Sequence, residues 1–258
     1  MLLAADIGNT EIALGLFQNG RLIQPWRLRT DLNKNADEYG ALLISLMQAG
    51  GQDPKRIERV CAASVVPALT QTFFQACAQY LRCEPRIATA ESNLGIQLDV
   101  DNPSEVGADR ALNALAVLRL YPLPAVVVDF GTATNLDVVG EGGVFRGGAF
   151  MPGIQISMDA LFQKASMLKP LEKIEKPKRA IGRNTSECIQ SGLYYGYLGQ
   201  MERMIERIAE ELDAKPTVVA TGGLSSLLAP HSELVDAIDP YLTLKGLLFA
   251  DERLRGHS

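Results

Sequence analysis

Aromatic side chains make up only 6% of this 258-residue chain, with one tryptophan, and histidine occurs twice. His231 follows Pro230 in a turn-like segment and His257 sits in the tail, so a histidine-centred hydrolase finds no support. Cysteine is equally sparse. Cys61, Cys77, Cys83 and Cys188 form no C-x-x-C pair, which removes the ligand spacing of a structural zinc site and leaves them as small apolar packing residues of a reduced, cytoplasmic chain. An excess of positive charge is also missing. Thirty acidic against 25 basic side chains give a net charge of -5 and a pI near 5.2, a balance that offers no attractive field to a phosphate backbone and argues against non-specific nucleic-acid binding. The opening MLLAADIGNT has no basic region and reaches an acid by its sixth residue, so no secretory signal is expected.

Long apolar runs are rare too. The longest uncharged segment, residues 60–81, has 22 residues and could span a bilayer by length alone. Its pattern argues otherwise: Gln71, Gln75 and Gln79 recur every four residues while Leu69, Phe73, Cys77 and Leu81 form another side, which predicts a soluble amphipathic helix after the short strand RVCAAS. No membrane association is expected.

With 47% apolar residues, the chain can bury a core of one large or two small domains. LLAADIG reads as a strand ending in an acid, and NTEIALGLFQNGRLIQPWRL as two strands joined at Asn19-Gly20. Helices are predicted from about Asp37 to Ala49 and from about Ala108 to Leu120, where YPLP stops the second. The plan then restarts, because AVVVDFGTATNLDVVGEGGVFRGG repeats the order of the opening segment. Asp6 and Asp129 stand 13 and 12 residues before the turns at Asn19 and Glu141. A helix after Pro152-Gly153, a basic connector from Lys169 to Arg179, a long helix introduced by Asn184-Thr185, a strand PTVVAT, a short strand around Leu234 to Ile238 and a helix from Tyr241 complete the chain, with RGHS as a frayed tail. The simplest architecture is α/β, with lobes at residues 1–121 and 122–258, the last helix free to return to the first lobe, and a ligand cleft between them.

Five segments carry candidate chemistry. Asp6-Ile7-Gly8-Asn9-Thr10 places a carboxylate at the end of a buried strand, then a glycine and two small polar residues. Such a loop suits Mg-phosphate, and an Asp/Asn-rich strand turn reads equally well. Asp129-Phe130-Gly131-Thr132-Ala133-Thr134 supplies a matching loop, with Asp129 available to a cation and Thr132 or Thr134 to a phosphate, although both threonines also suit the following strand. Gly107-Ala108-Asp109-Arg110 lies at a loop-to-helix transition. There Asp109 can take a proton and Arg110 can pair with an anion, Glu105 competes for the basic role, and a plain helix start is the bland reading. Thr185 could meet a substrate or cap its helix, and Thr221-Gly222-Gly223 could let a base or ribose approach the backbone.

The ordered set DIGNT, DNPSEVGADR, DFGTATNLD, GGAFMPG, GRNT and TGG resembles type III pantothenate kinases over nearly the whole chain. That resemblance implies the fold of the acetate kinase, sugar kinase, heat-shock ATPase and actin superfamily: two ribonuclease-H-like lobes with a nucleotide cleft between them, commonly in a homodimer. It implies transfer of the γ-phosphoryl group of ATP, with Mg2+, to pantothenate, giving 4'-phosphopantothenate at the start of coenzyme A synthesis, in the presence of K+ or NH4+. By the same resemblance Asp6, Ile7, Gly8, Asn9, Thr10, Glu11, Ile12 and Ala13 bind ATP with Thr132, while on residue type alone Thr134 offers phosphate a second hydroxyl and Asp6 offers magnesium a carboxylate, directly or through water. Gly107, Ala108, Asp109, Arg110 and Thr185 meet pantothenate, Asp109 is the base and Asp129 holds the monovalent cation. Two positions depart from the family pattern, Val100 where a tyrosine is common and Asn135 where a threonine is common. A nucleotide sensor without catalysis and a kinase for another small carboxylated alcohol use the same kinds of residue; phosphopantothenate formation separates them.

Overall fold

The computed structural model describes residues 1–165 and 171–256. Lys169, the start of the basic connector, and His257 lie outside the described residues. The chain divides into two compact units, one formed by Met1–Ile96, Asp101–Ala116 and Leu242 onward, the other by Gln97–Val100 and Val117–Tyr241. Both are α/β, and each is built on one mixed sheet.

The first unit contains strands β1 (Leu2–Ile7), β2 (Glu11–Gln18), β3 (Arg21–Arg29), β4 (Arg59–Ser64) and β5 (Pro85–Ile87) in the order β3-β2-β1-β4-β5. The hairpins β1/β2 and β2/β3 are antiparallel, and β4 and β5 add parallel to β1. Asn19 and Gly20 both take positive φ, 51° and 75°, the conformation that a two-residue hairpin of the strand's own twist demands. Pro25, which cannot donate to a ladder, is confined to the edge strand β3. Helix α1 (Ala36–Ala49) starts on a reciprocal cap in which the Asn35 side chain accepts from the Glu38 N–H while the Glu38 carboxylate accepts from that of Asn35. Helix α2 (Pro67–Ala76) runs into a π-helical turn over Cys77–Leu81 and ends on Arg82 with φ 55°. Tyr39, Leu43 and Met47 of α1 and Leu69, Phe73 and Ala76 of α2 bury one core with Leu3, Ala5 and Ile7 of β1.

Helix α3 (Ala108–Leu120) begins in this unit and follows a 3-10 turn at Pro103–Glu105. The second unit carries β6 (Gln97–Leu98), β7 (Ala125–Phe130), β8 (Ala133–Val139), β9 (Val144–Pro152), β10 (Thr217–Gly222) and β11 (Ala237–Ile238), ordered β11-β10-β7-β8-β9-β6. Strands β7, β8 and β9 form antiparallel hairpins, while β10 and β11 add parallel to β7. Stripped of the two-residue β6, this is the order of the first sheet, so the repeat read from the two acid-glycine segments is a repeat of topology. The strand expected over Leu234 to Ile238 shrinks to Ala237–Ile238; just before it the Asp236 N–H donates to the Val218 carbonyl at 2.9 Å, while the Val218 N–H goes to the Asp236 carboxylate, also at 2.9 Å, and not to a backbone carbonyl of the incoming strand.

Helices α4 (Ile154–Lys164), α5 (Thr185–Leu212) and α6 (Ser225–Leu228) belong to the second unit. Ile154, Tyr194, Tyr197, Met201, Ile205 and Leu228 bury Val126, Val128, Phe130 and Leu136. Helix α7 (Leu242–Arg255) joins the first unit. A Cβ at Gly246 would lie 2.2 Å from the Leu112 carbonyl, so glycine lets α7 approach α3. Asp251, 2% exposed, forms an ion pair with Arg59 of β4.

Candidate active site

Side chains alternate across a strand, and Leu3, Ala5 and Ile7 face α1 and α2, so Asp6 projects from the opposite face at the carboxyl end of β1, half-buried. The loop beyond it is tightly closed. Gly8 N–H donates to the Glu11 carbonyl at 3.0 Å, and a Cβ at Gly8 would stand 3.0 Å from that same oxygen. Thr30 supports the loop twice: its hydroxyl donates to the Gly8 carbonyl at 2.6 Å and its N–H to the Thr10 carbonyl at 3.0 Å. Asn9 and Thr10 are exposed, whereas Glu11 is paired with Arg27. Ile7 and Ile12 are fully buried, which leaves only their backbone to offer a ligand, and Ala13 lies directly across from Asp6.

At the second segment, a Cβ at Gly107 would stand 2.4 Å from Asp109 Oδ1, so the carboxylate lies back over glycine backbone that no other residue would leave open. Ala111 N–H donates to the Gly107 carbonyl at 3.1 Å and fixes the first turn of α3 around it. Gly107, Ala108, Asp109 and Arg110 are all partly exposed. Glu105 instead accepts a hydrogen bond from Asn102 at 2.8 Å, and Val100 belongs to the second unit, where it is 3.6 Å from the position of a Cβ on Gly147.

In the second unit, Asp129 ends β7 on the face opposite α5. Gly131 N–H donates to the Ala133 carbonyl at 3.0 Å, the counterpart of the Gly8 turn. Thr132 is exposed, and its carbonyl accepts the Gly153 N–H at 3.1 Å, in a contact so close that a Cβ at Gly153 would lie 2.1 Å from that oxygen. Tyr197 secures the turn from below: its hydroxyl bonds the carbonyls of Pro152 at 3.0 Å and Gly153 at 3.3 Å and pairs with Ser157. Thr134, by contrast, is 2% exposed and opposes Phe130 and Met151 in the sheet. Gly222, with φ +88°, sits at the end of β10 where a Cβ would stand 2.5 Å from Asp129 Oδ1. Nearby in sequence, Asp239 accepts from the Tyr121 hydroxyl at 3.2 Å; burial, and then the Asp239 charge, push that phenol up to about 12, so it remains a donor at neutral pH.

Asn184 caps α5, its side chain accepting the Glu187 N–H at 2.9 Å, which leaves Thr185 exposed in the first turn with no capping duty. Glu187 is held below the usual carboxylate range, first by the Arg183 N–H and then by Arg179. The same turn borders a cavity of about 610 Å³ lined by Lys173, Lys176, Lys178 and Arg179. Thr30 and Tyr197 escape sequence reading, because each acts through a single hydroxyl reaching a backbone carbonyl far away in the chain.

His231 is exposed, with its ring against the edge of Tyr194, and all four cysteines are free. Burial pushes the Cys61 thiol up to about 12 and raises that of Cys77 further, so neither is a thiolate nucleophile at neutral pH. Among the described residues no group of three His, Cys, Asp or Glu side chains gathers to hold a metal ion, and no helix is long and apolar enough to cross a membrane.

The chain is similar to known proteins over almost its full length. It is 46% identical over 253 residues to the type III pantothenate kinase of Moorella thermoacetica, covering 98% of this chain and 99% of that protein. It is 42% identical to the corresponding kinase of Bacillus cytotoxicus, with 98% and 96% covered. In fold, it matches a crystal structure described as a Baf family transcriptional activator from Campylobacter jejuni, with a TM-score of 0.62 at 16% identity and 98% and 99% of the two chains covered. The same fold is found in a crystal structure described as a 2-dehydro-3-deoxygalactonokinase from Sinorhizobium meliloti, with a TM-score of 0.61 at 14% identity and 98% and 96% of the two chains covered. The family model for type III pantothenate kinase matches residues 2–207, and the chain belongs to that family.

Proposed function

We infer a division of roles among the residues above for the reaction of this family. The chain is an ATP-dependent phosphotransferase that converts pantothenate to 4'-phosphopantothenate, the first step of coenzyme A biosynthesis. The observation that carries this reading is identity above 40% to such kinases along 98% of the sequence.

The loop from Asp6 to Ala13 binds the ATP phosphates, with the Asn9 and Thr10 side chains and the loop N–H groups as donors and the Ile7 and Ile12 side chains kept in the core. Thr132, exposed and braced by Gly153, donates a further hydroxyl; Thr134, buried in the sheet, contributes through the strand that carries it. Gly107 to Arg110 position pantothenate. Arg110 pairs with its carboxylate, and Thr185 offers a hydroxyl from the exposed first turn of α5. Asp109 accepts the proton of the attacking alcohol. The transition state of phosphoryl transfer is loose, with little bond to the attacking oxygen, so the alcohol proton leaves late, after phosphoryl transfer has begun, and the main service of Asp109 is alignment.

The donor sets fit the expected ions. Asp6 offers one half-buried carboxylate, which suits Mg2+, an ion that keeps several waters and takes the rest of its shell from substrate phosphates. Asp129 lies in a space kept clear by the missing side chain of Gly222, which suits a bound monovalent cation, K+ or NH4+. When bound, these ions neutralise phosphate charge and spare the protein a covalent nucleophile. A cytoplasmic homodimer without membrane or nucleic-acid partners completes the reading. Gly192, Gly196 and Gly199 line an exposed stripe of the long helix α5 where a Cβ would meet nothing within 4 Å, a surface able to receive a second copy closely.

The test is mass-resolved formation of phosphopantothenate from pantothenate and Mg-ATP, with and without K+, for wild type and Asp109→Asn. Product from wild type and its strong reduction in the variant are expected. Absence of product from folded, ATP-binding protein would move the reading to a sensor or to another alcohol.

A further inference from the structure

Asn135 is 9% exposed, and its Oδ1 is buried without a hydrogen-bond partner. A buried amide oxygen in that state costs free energy, so a native structure retains one where something else satisfies it. The sheet register shows what lies beside it. Asn135 stands directly opposite Asp129 across the antiparallel pair β7/β8, and Thr221 is in register with Asp129 on the other side. Residues directly opposite share one face of the sheet with Cβ atoms about 4.5 to 5.5 Å apart, so two side-chain oxygens can converge on one small ion. Gly222 adds no Cβ to the space beside Asp129 Oδ1.

We propose that the Asn135 side-chain oxygen is a ligand, together with Asp129, of the activating monovalent cation. The inference rests on the assignment of that cation to Asp129. The two proposed ligands favour it: one carboxylate and one neutral amide oxygen contribute a single negative charge, the buried Asp137 carboxylate lying two residues further along the same strand face opposite Val127, and neutral carbonyl-type oxygens are the groups that replace water around K+ in selective sites. A second carboxylate would instead build a site for a divalent ion. The first unit supplies an internal contrast, because there Ala13, with no side-chain oxygen, stands opposite Asp6.

The experiment measures thermal melting of the full chain as KCl replaces choline chloride at constant ionic strength, with and without Mg2+ and a non-hydrolysable ATP analogue. Wild type, Asn135→Leu, Asn135→Asp and Asp129→Asn are compared. Wild type is expected to show a K+-specific rise in melting temperature. Asn135→Leu is expected to need at least about tenfold more K+ for half the effect, as metal sites do when a supporting group is lost. In choline alone it melts no lower than wild type, since the unsatisfied oxygen has gone. Asn135→Asp keeps an oxygen and gains a charge, and is expected to shift the response from K+ towards a divalent ion. A K+ midpoint unchanged in Asn135→Leu, with the response lost in Asp129→Asn, overturns the role of Asn135 and leaves that of Asp129 standing. No K+-specific response in wild type overturns both. Should Asn135→Leu fail to fold, an ion preference in Asn135→Asp identical to that of wild type overturns the inference.

Discussion

Replacing Gly222 by alanine adds one methyl group at a position that cannot hold it. The residue has φ +88°, where an L side chain costs about 1–2 kcal/mol relative to glycine. The added Cβ would stand 2.5 Å from Asp129 Oδ1 and 2.7 Å from both the C and N atoms of Phe130. The carboxylate could swing away, but the Phe130 backbone is held in the β7 ladder on both sides, by β8 and β10, and must be pushed. Overpacking of this kind costs about 1–3 kcal/mol, so a total near 2–5 kcal/mol is expected. For a protein of this size each kcal/mol lowers the melting temperature by about 2–4 °C. Gly222→Ala should therefore melt at least about 4 °C below wild type in calorimetry. Because the displaced atoms belong to Asp129 and its neighbour, the K+ concentration for half-maximal activity should rise as well. A melting temperature within about 1 °C of wild type with unchanged K+ dependence would refute the reasoning, since it would mean that β10 can shift away from β7 at no cost.

Four further outcomes follow from the same structure. Asp109→Asn should lower kcat by about 10²- to 10⁴-fold with little change in melting temperature, in steady-state kinetics and calorimetry on one preparation; an unchanged kcat would remove Asp109 from proton transfer. Tyr197→Phe, which deletes the donor to the Pro152 carbonyl, should cost about 1 kcal/mol in denaturant unfolding and raise KM for ATP through the Thr132 loop; equal KM values would sever that link. Asp251→Ala should destabilise by about 1–3 kcal/mol, because it removes the charged hydrogen-bond partner of Arg59, whose own side chain keeps 31% exposure, and urea unfolding with a loss under about 0.5 kcal/mol would count against a pair that pins α7. Gly192→Ala should stabilise an uncovered α5 by about 0.5–1 kcal/mol, whereas a lower dimer fraction in sedimentation would place the partner on this stripe.

How much of this was legible in the sequence depends on the range of the interaction concerned. Local signals read well. The Asn19-Gly20 turn, the Gln/Leu periodicity of residues 69–81 and the capping residue ahead of α5 are each decided within a few neighbours, and each occurs where the pattern places it. The sequence left open whether Asn184 or Thr185 caps α5; the geometry chooses Asn184, whose side chain reaches the Glu187 N–H. Non-local closure did not read. Nothing in the residues around Thr30 signals that its hydroxyl ties the Gly8 carbonyl 22 positions away, nor that Tyr197 reaches Pro152 across 45. The buried state of Thr134 also depends on its strand partners, since a threonine after DFGTA alternates outward or inward only by register.

The two acid-glycine loops show why a repeated topology need not mean a repeated task. In the first, the last sheet pair Ile7–Ile12 encloses four residues, 8 to 11; in the second, Phe130–Thr134 encloses three, 131 to 133. The longer loop presents three exposed polar side chains beyond its acid, Asn9, Thr10 and Glu11, of which Glu11 is paired with Arg27 and the other two suit a polyphosphate with its own divalent ion. The shorter loop presents one, Thr132, and gives up reach for close packing of its carbonyl against Gly153. The residue facing the acid differs in the same direction, Ala13 opposite Asp6 and Asn135 opposite Asp129. Exchanging these two residues separates the tasks. Ala13→Asn should leave the K+ midpoint where it is, because the oxygen it adds lies beside Asp6 of the proposed magnesium-phosphate loop, while Asn135→Ala should raise it; equal shifts from both would mean that the acids are interchangeable and that the difference in loop length carries no function.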